Sequence, residues 1–565
     1  MSSPTPYRID SNGFFTREGT RIFPVGVNYW PASSGLRMWE RWDADEVARD
    51  LDTLASLGLN AIRFFLRWQD FEPESGRYDE VQFDRLDWLL AQCAKRRLHV
   101  NPSLFVGWMS GGIFWPHWKG ERNLFSDPEM IERSEAFARK AAQVFARYRD
   151  CIFTVDLGNE LNCLPESNAA GRGAVGAWCD RICAAVRVEM TGVLMVSGCE
   201  LNQVVSDTPW SFDNQPGTDL FSIHNYPVAN WSCLPIGGMA DPLSRRMSPF
   251  FCAYARAHGP VFFQEFGSFL TLAVEEQRAY LAEVLPAVAA TGVNGMLWWC
   301  LNDIDSQEHP YELCEQERSL GLVDREGRLK AGLEHALRLM TGWAADPASL
   351  PVPAKAGIAL YIPDDTAPHA PEHLRHANAA SLLGRRMGMA WHLSLEAGLS
   401  PCIVKRADMP APGEMPVLFV GDSLRTAELA SIMAWVAEGG QFIWHGVLAL
   451  SWGHDFARIV GARIADYALN TRVSVEWADE SWIMPPSPRQ ARYVVKPTTA
   501  EVLARDSDGH AVVLRQTHGE GTFAYCLHSV EDAAAEARGV SLASGDRWAA
   551  WFKAWVTQPS TASSA

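Results

Sequence analysis

A chain of 565 residues with a net charge of −17, 47% hydrophobic and 21% charged residues is long enough for two or three domains, each with its own core, and has the make-up of a globular protein. Its acidity argues against nucleic acid as a partner, because binding a polyanion needs a basic surface. Met1 to Arg8 carries no apolar stretch with a small-residue cleavage site, and no run approaches the ~18 apolar residues of a membrane span, so the expectation is a cytoplasmic protein with no membrane partner.

The 12 cysteines are scattered without CxxC pairs, and Cys151, Cys199 and Cys300 lie inside apolar runs. That pattern favours buried free thiols over a disulfide framework or a metal site, and nothing calls for a cofactor. Tryptophan is the compositional outlier, at 23 residues. Indole rings fill cores and stack on the apolar faces of sugars, and composition alone does not separate the two uses.

In chain order, residues 20–335 alternate short apolar runs with longer helical patterns. The runs are Phe23–Trp30, Asn60–Trp68, His99–Phe105, Ile152–Glu160, Val193–Cys199, Leu220–Pro227, Val261–Gly267 and Gly295–Leu301. Between them, Asp43 with Glu46 has the form of a capping box, followed at helical spacing by Val47, Leu51, Leu54 and Leu57 before Gly58. Asp127-Pro128 opens another helix. Eight βα units over this length predict a (β/α)8 TIM barrel spanning 1–343. A doubly wound open sheet is the alternative, but no Gly-rich phosphate loop follows any of the runs.

Residues 344–356, rich in Pro and Ala, form a predicted linker. A second α/β pattern covers 357–558. It comprises a strand at Gly357–Ile362, helices at His373–Gly388 and Met389–Gly398, a strand at Val417–Val420, a helix at Thr426–Glu438, a strand at Gln441–Trp444, and a hairpin over Val512–His528 turning near Gly519. The pattern predicts a smaller open sheet of flavodoxin or amidotransferase type. It has no Gly-x-Cys-x-Gly elbow to carry a nucleophile, so its expected role is assembly. Residues 559–565 are expected to be a disordered tail.

A barrel places its active site at the C-terminal ends of its strands. Glu160, in Gly158-Asn159-Glu160, ends the fourth run, and Glu265, in Gln264-Glu265-Phe266-Gly267, ends the seventh. Two carboxylates so placed are what retaining glycoside hydrolysis requires, one as acid/base and one as nucleophile, with environments that separate their pKa values. Arg63 in the second run and Tyr226 at the end of the sixth are placed to hold Glu265 ionised. Asn159 is placed to meet a sugar 2-hydroxyl. His224, Trp298 and Trp299 converge on the same mouth.

These residues, with Asn-Ala-Ile-Arg at 60–63, His-Asn-Tyr-Pro at 224–227 and Trp-Trp-Cys-Leu at 298–301, give residues 20–335 a resemblance to glycoside hydrolase clan A, most closely family 5. The resemblance implies that Glu160 is the acid/base and Glu265 the nucleophile, and that Arg63, Asn159, His224, Tyr226 and Trp299 touch or support the substrate. One position departs from it: where the family usually ends its third strand with histidine, this run ends Ser103-Leu104-Phe105, with His99 at its start. The Gly- and aromatic-rich loop Gly107–Trp118 resembles loops of mannan-active members, and its Trp115 and Trp118 are candidate stacking platforms. The loop His309–Gly327 resembles that of barrels acting on short β-mannosides. The second domain resembles the trimerisation domain of family 42 β-galactosidases, which implies a homotrimer. The reading that follows is an exo-acting β-mannosidase releasing mannose from short β-1,4-linked oligosaccharides, such as manno-oligosaccharides or Man-β-1,4-GlcNAc. The alternatives are a β-galactosidase, an endo-β-mannanase or endoglucanase, and, outside enzymes, a non-catalytic sugar-binding barrel.

Overall fold

The computed structural model describes residues 5–228, 234–268, 273–364, 380–446, 453–469, 471–486 and 491–557. The chain divides into two compact units. One comprises Met1–Val204, Thr208–Val228 and Gly238–Val352, and the other Val205–Asp207, Ala229–Gly237 and Pro353–Ala565.

Each of the eight expected runs in the first unit contains one strand: β1 Val25–Asn28, β2 Ala61–Phe65, β3 His99–Val106, β4 Thr154–Asn159, β5 Leu194–Val196, β6 Phe221–Asn225, β7 Val261–Phe266 and β8 Met296–Trp298. They are parallel, in the order β5-β4-β3-β2-β1-β8-β7-β6, and a parallel bridge between Val196 and Leu220 joins the two ends into a barrel. Nearly every strand residue is buried, as expected where helices cover one face of the sheet and barrel packing the other, so the strands read as continuous apolar runs rather than alternating ones.

Helices Ala44–Ser56, Glu80–Lys95, Pro128–Phe145, Pro165–Glu189, Pro242–Arg256, Val274–Ala290 and Glu334–Ala345 surround the barrel. Between β5 and β6 the only described helix is the four-residue Asn202–Val205, so this unit departs from the regular pattern. Asp43 caps the first of these helices by accepting from the backbone N–H of Asp45 and Glu46. The carboxylate of Glu46, however, turns to Ser33 instead of completing the box. The last helix runs on to Ala345, and a short 3-10 turn follows at Pro347–Ser349.

A small antiparallel sheet, Tyr7–Ile9 with Phe15–Arg17 and Thr20–Arg21, was not anticipated. Its Tyr7 and Phe15 pack with Ala61, Phe153, Phe262 and Leu297 and plug the N-terminal end of the barrel. His99 belongs to this end, with Nδ1 2.8 Å from the Tyr7 hydroxyl, and burial lowers its pKa to about 4.

The second unit contains a seven-stranded sheet built from β9 Ile358–Tyr361, β10 Pro401–Val404, β11 Val417–Phe419, β12 Gln441–His445, β13 Glu501–Arg505, β14 Ala511–His518 and β15 Gly521–Cys526. The order is β10-β9-β11-β12-β15-β14-β13. Neighbours from β10 to β15 are parallel, and β14 and β13 are added antiparallel. The hairpin expected at Val512–His528 is β14–β15. Where two helices were expected around Gly388, one helix runs through Ala380–Glu396. Met387, Met389, Ala390 and Leu393 are all fully buried, and this packing outweighs the ~1 kcal/mol cost of a mid-helix glycine. The expected helical residues 373–379 and the tail 559–565 lie outside the described residues.

Candidate active site

The backbone delivers the expected residues to one end of the barrel. Arg63 lies in mid-β2, Asn159 is the last residue of β4 and Glu160 the next, and His224 is the penultimate residue of β6 with Tyr226 just beyond it. Glu265 is the penultimate residue of β7, and Trp299 follows β8. In the β6–β7 register His224 stands opposite Glu265, immediately after an irregularity at Ile223/His224. Glu160 adopts a left-handed conformation, φ 49°, which is costly for a residue with a side chain. Its N–H is fixed to the Gly198 carbonyl at 2.8 Å. Gly198 itself has φ 68°, and a Cβ there would sit 1.8 Å from the Gly158 carbonyl oxygen, so this close approach of two chain segments requires glycine.

Arg63 is fully buried and organises the floor of the site. Its Nε and Nη2 donate to Asp156 Oδ2 at 2.9 and 2.6 Å, Nη1 to Glu265 Oε1 at 2.5 Å and Asn28 Oδ1 at 3.1 Å, and Nη2 to Asn159 Oδ1 at 3.0 Å. A planar five-donor fork is the side chain suited to serve this many acceptors at once. Asn159 donates from Nδ2 to the Trp108 carbonyl at 2.8 Å, which ties β4 to the loop after β3.

The hydrogen bonds around His224 assign a proton. Asp156 only accepts, so Gln264 turns its Nε2 toward Asp156 (3.3 Å) and Asn101 Oδ1 (2.7 Å) and its Oε1 toward His224 Nε2 (3.1 Å). His224 Nε2 therefore carries the hydrogen. Burial lowers the His224 pKa, leaving the ring neutral and Nδ1 an acceptor. Nδ1 lies 2.9 Å from Glu160 Oε1, so the proton in that contact belongs to Glu160. Burial acts in the same direction, pushing the Glu160 carboxyl up to about 7 against the pull of Arg63.

Glu265 receives donors on both oxygens, Arg63 on Oε1 and the Tyr226 hydroxyl on Oε2 at 3.0 Å. Burial raises its pKa as well, where a low value was expected for a nucleophile. The Arg63 guanidinium opposes the rise and Glu160 adds to it. The two carboxyls are thus distinguished by their partners: one faces an acceptor nitrogen, the other a guanidinium and a phenol. Ligand atoms of Glu160, His224 and Glu265 all lie within 4.8 Å of one another, a spacing that could hold a metal ion. Arg63 already supplies the cation on Glu265.

The tryptophans divide. Trp299 is nearly buried at the mouth, its ring edge-on to Phe65 at 5.9 Å and its Nε1 donating to Glu317 Oε2 at 3.1 Å. Trp298, expected at the mouth and found as the last residue of β8, is a packing residue in the structure. It is 1% exposed, donates to the Leu320 carbonyl and packs on Phe266. Trp118 donates to the Glu72 carbonyl at 2.7 Å and sits edge-on to Trp68, as does Trp115, so both brace the loop after β3. Polar residues of the site that the sequence reading does not single out include Asn28, Asn101, Asp156 and Gln264 in the floor, Glu317 on the loop after β8, and Glu200 just past β5. Glu200 is buried, accepts from Asn162 and the Asn202 N–H, and is pushed up to about 8 by burial and by Glu160.

A closed parallel barrel with two buried glutamates at the ends of its fourth and seventh strands defines a glycoside hydrolase of the clan A type. No family model matches the chain. Across 128 residues it is 30% identical to the β-glucosidase of Agrobacterium sp., 22% of this chain and 24% of that one, so the chain spans about a quarter of that curated relative. Among solved structures, an exo-β-1,4-mannosidase from Opitutaceae bacterium strain TAV5 is 39% identical, with 98% of this chain and 100% of that one covered and a TM-score of 0.92. On that likeness the chain belongs to glycoside hydrolase family 5. Two weaker likenesses concern the fold alone. A family 5 subfamily 18 protein from Streptomyces cattleya in complex with Man-β-1,4-GlcNAc is 21% identical over 75% of this chain and 98% of that one, with a TM-score of 0.58. A β-galactosidase from Rahnella sp. R3 is 13% identical over 96% of this chain and 90% of that one, with a TM-score of 0.67.

Proposed function

We propose that the protein is a retaining, exo-acting β-mannosidase that releases mannose from short β-1,4-linked oligosaccharides, either manno-oligosaccharides or Man-β-1,4-GlcNAc. Glu265 attacks the anomeric carbon while Glu160 passes its proton to the departing glycosidic oxygen. Water then cleaves the glycosyl ester on Glu265 as Glu160, now ionised, takes the water's proton. Arg63 and Tyr226 orient Glu265 and balance its charge. Trp299 borders the sugar, and Asn159 reaches its 2-hydroxyl.

The observation that carries the reaction class is the spacing of the two glutamates, with oxygens within 4.8 Å and one histidine nitrogen between them. A double displacement uses carboxyls ~5–5.5 Å apart, whereas an inverting enzyme leaves ~6.5–9.5 Å for a water. Mannose as the glycone is supported by 39% identity along almost the whole chain to an exo-β-1,4-mannosidase. Hydrolysis rates on nitrophenyl β-mannoside, β-galactoside and β-glucoside, beside polymeric mannan, test it. Fastest release from the mannoside, with mannose as the first product from manno-oligosaccharides, is expected. Dominant galactose release or random cleavage of mannan would overturn it.

The same reading has the protein working in the cytoplasm as a homotrimer assembled through its second unit. The described cysteines are all free, which supports a reducing compartment, and no helix among the described residues is long and apolar enough to cross a membrane. Light scattering on the purified protein tests the trimer.

A further inference from the structure

Glu317 occupies the 3-10 turn Glu315–Ser319 in the loop after β8. Its Oε2 accepts from Trp299 Nε1 at 3.1 Å and from Ser110 Oγ at 3.0 Å. Ser110 is the tip of a two-stranded hairpin, Trp108–Met109 with Gly112–Ile113, and has φ 49°. One carboxylate oxygen thus ties the loop after β3 to the loop after β8 and fixes Trp299 between them.

The other oxygen, Oε1, has no hydrogen-bond partner among the described residues. Burial pushes this carboxyl up to about 7 against the hydrogen bonds from Trp299 and Ser110, with Glu160 adding a smaller push. Its charge is felt in turn at Tyr226. A carboxylate within electrostatic reach of both Glu160 and Tyr226, held in place by two donors on one oxygen while the other is open, is prepared to accept a hydrogen bond from a ligand in the same site.

We propose that Glu317 Oε1 accepts a hydrogen bond from the C4 hydroxyl of the terminal sugar and that this contact makes the enzyme exo-acting. The proposal rests on the glycosidase reading above and adds the residue that ends the cleft. A sugar at the end of a β-1,4-linked chain carries a C4 hydroxyl with a hydrogen to give. A sugar extended by another residue carries an ether oxygen there and has none. The extended chain would leave a half-buried carboxylate without its donor and press a bulky substituent against a tied loop. Sites built around a substrate hydroxyl reject analogues that lack it for this reason.

The test measures kcat/KM for whichever nitrophenyl β-glycoside the wild type cleaves fastest, its 4-deoxy analogue and its 4-O-methyl analogue. The proteins are wild type, Glu317→Ala, Glu317→Gln and Ser110→Ala. Wild type is expected to lose on the order of 10- to 100-fold on the 4-deoxy compound, the worth of a hydrogen bond to a charged group, and more on the 4-O-methyl compound. Glu317→Ala should lose a comparable factor on the parent glycoside, treat parent and 4-deoxy alike, and narrow the gap to the 4-O-methyl compound. Ser110→Ala, which cuts only the tie between loops, should keep the wild-type discrimination. If Glu317→Ala does not fold, Glu317→Gln, whose amide oxygen still serves Trp299 and Ser110, should discriminate less than wild type. Full wild-type discrimination in both Glu317 variants would overturn the proposal. The identity of the fastest-cleaved glycoside tests the mannosidase reading separately, because the deoxy comparison is made on any of the three.

Discussion

Replacing Arg63 by methionine probes the floor of the site. Arg63→Met keeps much of the volume but removes the cation that Asp156 and Glu265 share and five donated hydrogen bonds. All three side chains are at most 4% exposed, so water does not replace what is lost. Breaking a buried ion pair on one side costs about 3–5 kcal/mol. Glu265 is already raised by burial with Arg63 opposing, so removing Arg63 raises it further. An acid whose folded pKa exceeds its unfolded value destabilises the fold progressively as pH rises from the unfolded value, about 4.3 for Glu, to the folded one. The variant's deficit should therefore be smaller at pH 4.5 than at pH 8. Adding Glu265→Gln, which removes one stranded charge, should recover part of it. Melting curves followed by tryptophan fluorescence at the two pH values measure this. A variant as stable as wild type at pH 8, or equally weakened at both, would refute the ion-pair account.

Further outcomes follow from the same contacts. Glu160 must be protonated to act as the acid and its pKa is about 7, so kcat/KM should fall as pH rises through about 7. Glu160→Gln should remove that limb on a substrate whose leaving group needs no proton; an unchanged limb in the variant would assign it to another group. Tyr226→Phe deletes one hydrogen bond to the Glu265 carboxylate and should lower kcat/KM by roughly 10- to 100-fold with little change in melting temperature; a change confined to stability would contradict the role given to Tyr226. Glu200 is a buried acid with a folded pKa of about 8, so it weakens the fold as pH rises from its unfolded value toward 8. Glu200→Gln should gain stability relative to wild type over that range, and a gain independent of pH would count against the buried-acid reading.

The sequence showed most of the barrel because its strands are buried and read as uninterrupted apolar runs between capped helices. The two glutamates stood out because each follows such a run. The same rule applied to Cys199-Glu200 would have found another buried carboxylate. Asn28, Arg63, Asn101, Asp156 and Gln264 are polar residues set inside apolar strands and are at most 1% exposed. Such residues need partners among themselves, a signal that the sequence holds but that pairing alone resolves. Trp298 and Trp299 are alike in the sequence, and only the contacts of each ring separate them. Glu317 and Ser110 are brought together by two loops far apart in the chain, and no local pattern announces their contact. In the second unit, the short antiparallel pairs Ala462–Leu469 with Ala491–Pro497 and Val473–Trp477 with Glu480–Met484 escaped for a related reason: each strand interleaves polar or charged residues with apolar ones and lacks the uninterrupted run that marked the others.

In the proposed reaction Glu265 forms a covalent bond to the sugar with Glu160 as its acid/base partner. A 2-deoxy-2-fluoro-β-mannosyl fluoride has a good leaving group and a slowed second step, so it should accumulate the glycosyl-enzyme. Digestion and mass spectrometry should place a single fluoromannosyl group on the peptide containing Gln264-Glu265-Phe266-Gly267, with activity lost in proportion to labelling. A label on any other residue, or hydrolysis of active substrates by protein that accumulates no adduct and gives the inverted anomer first, would contradict the account.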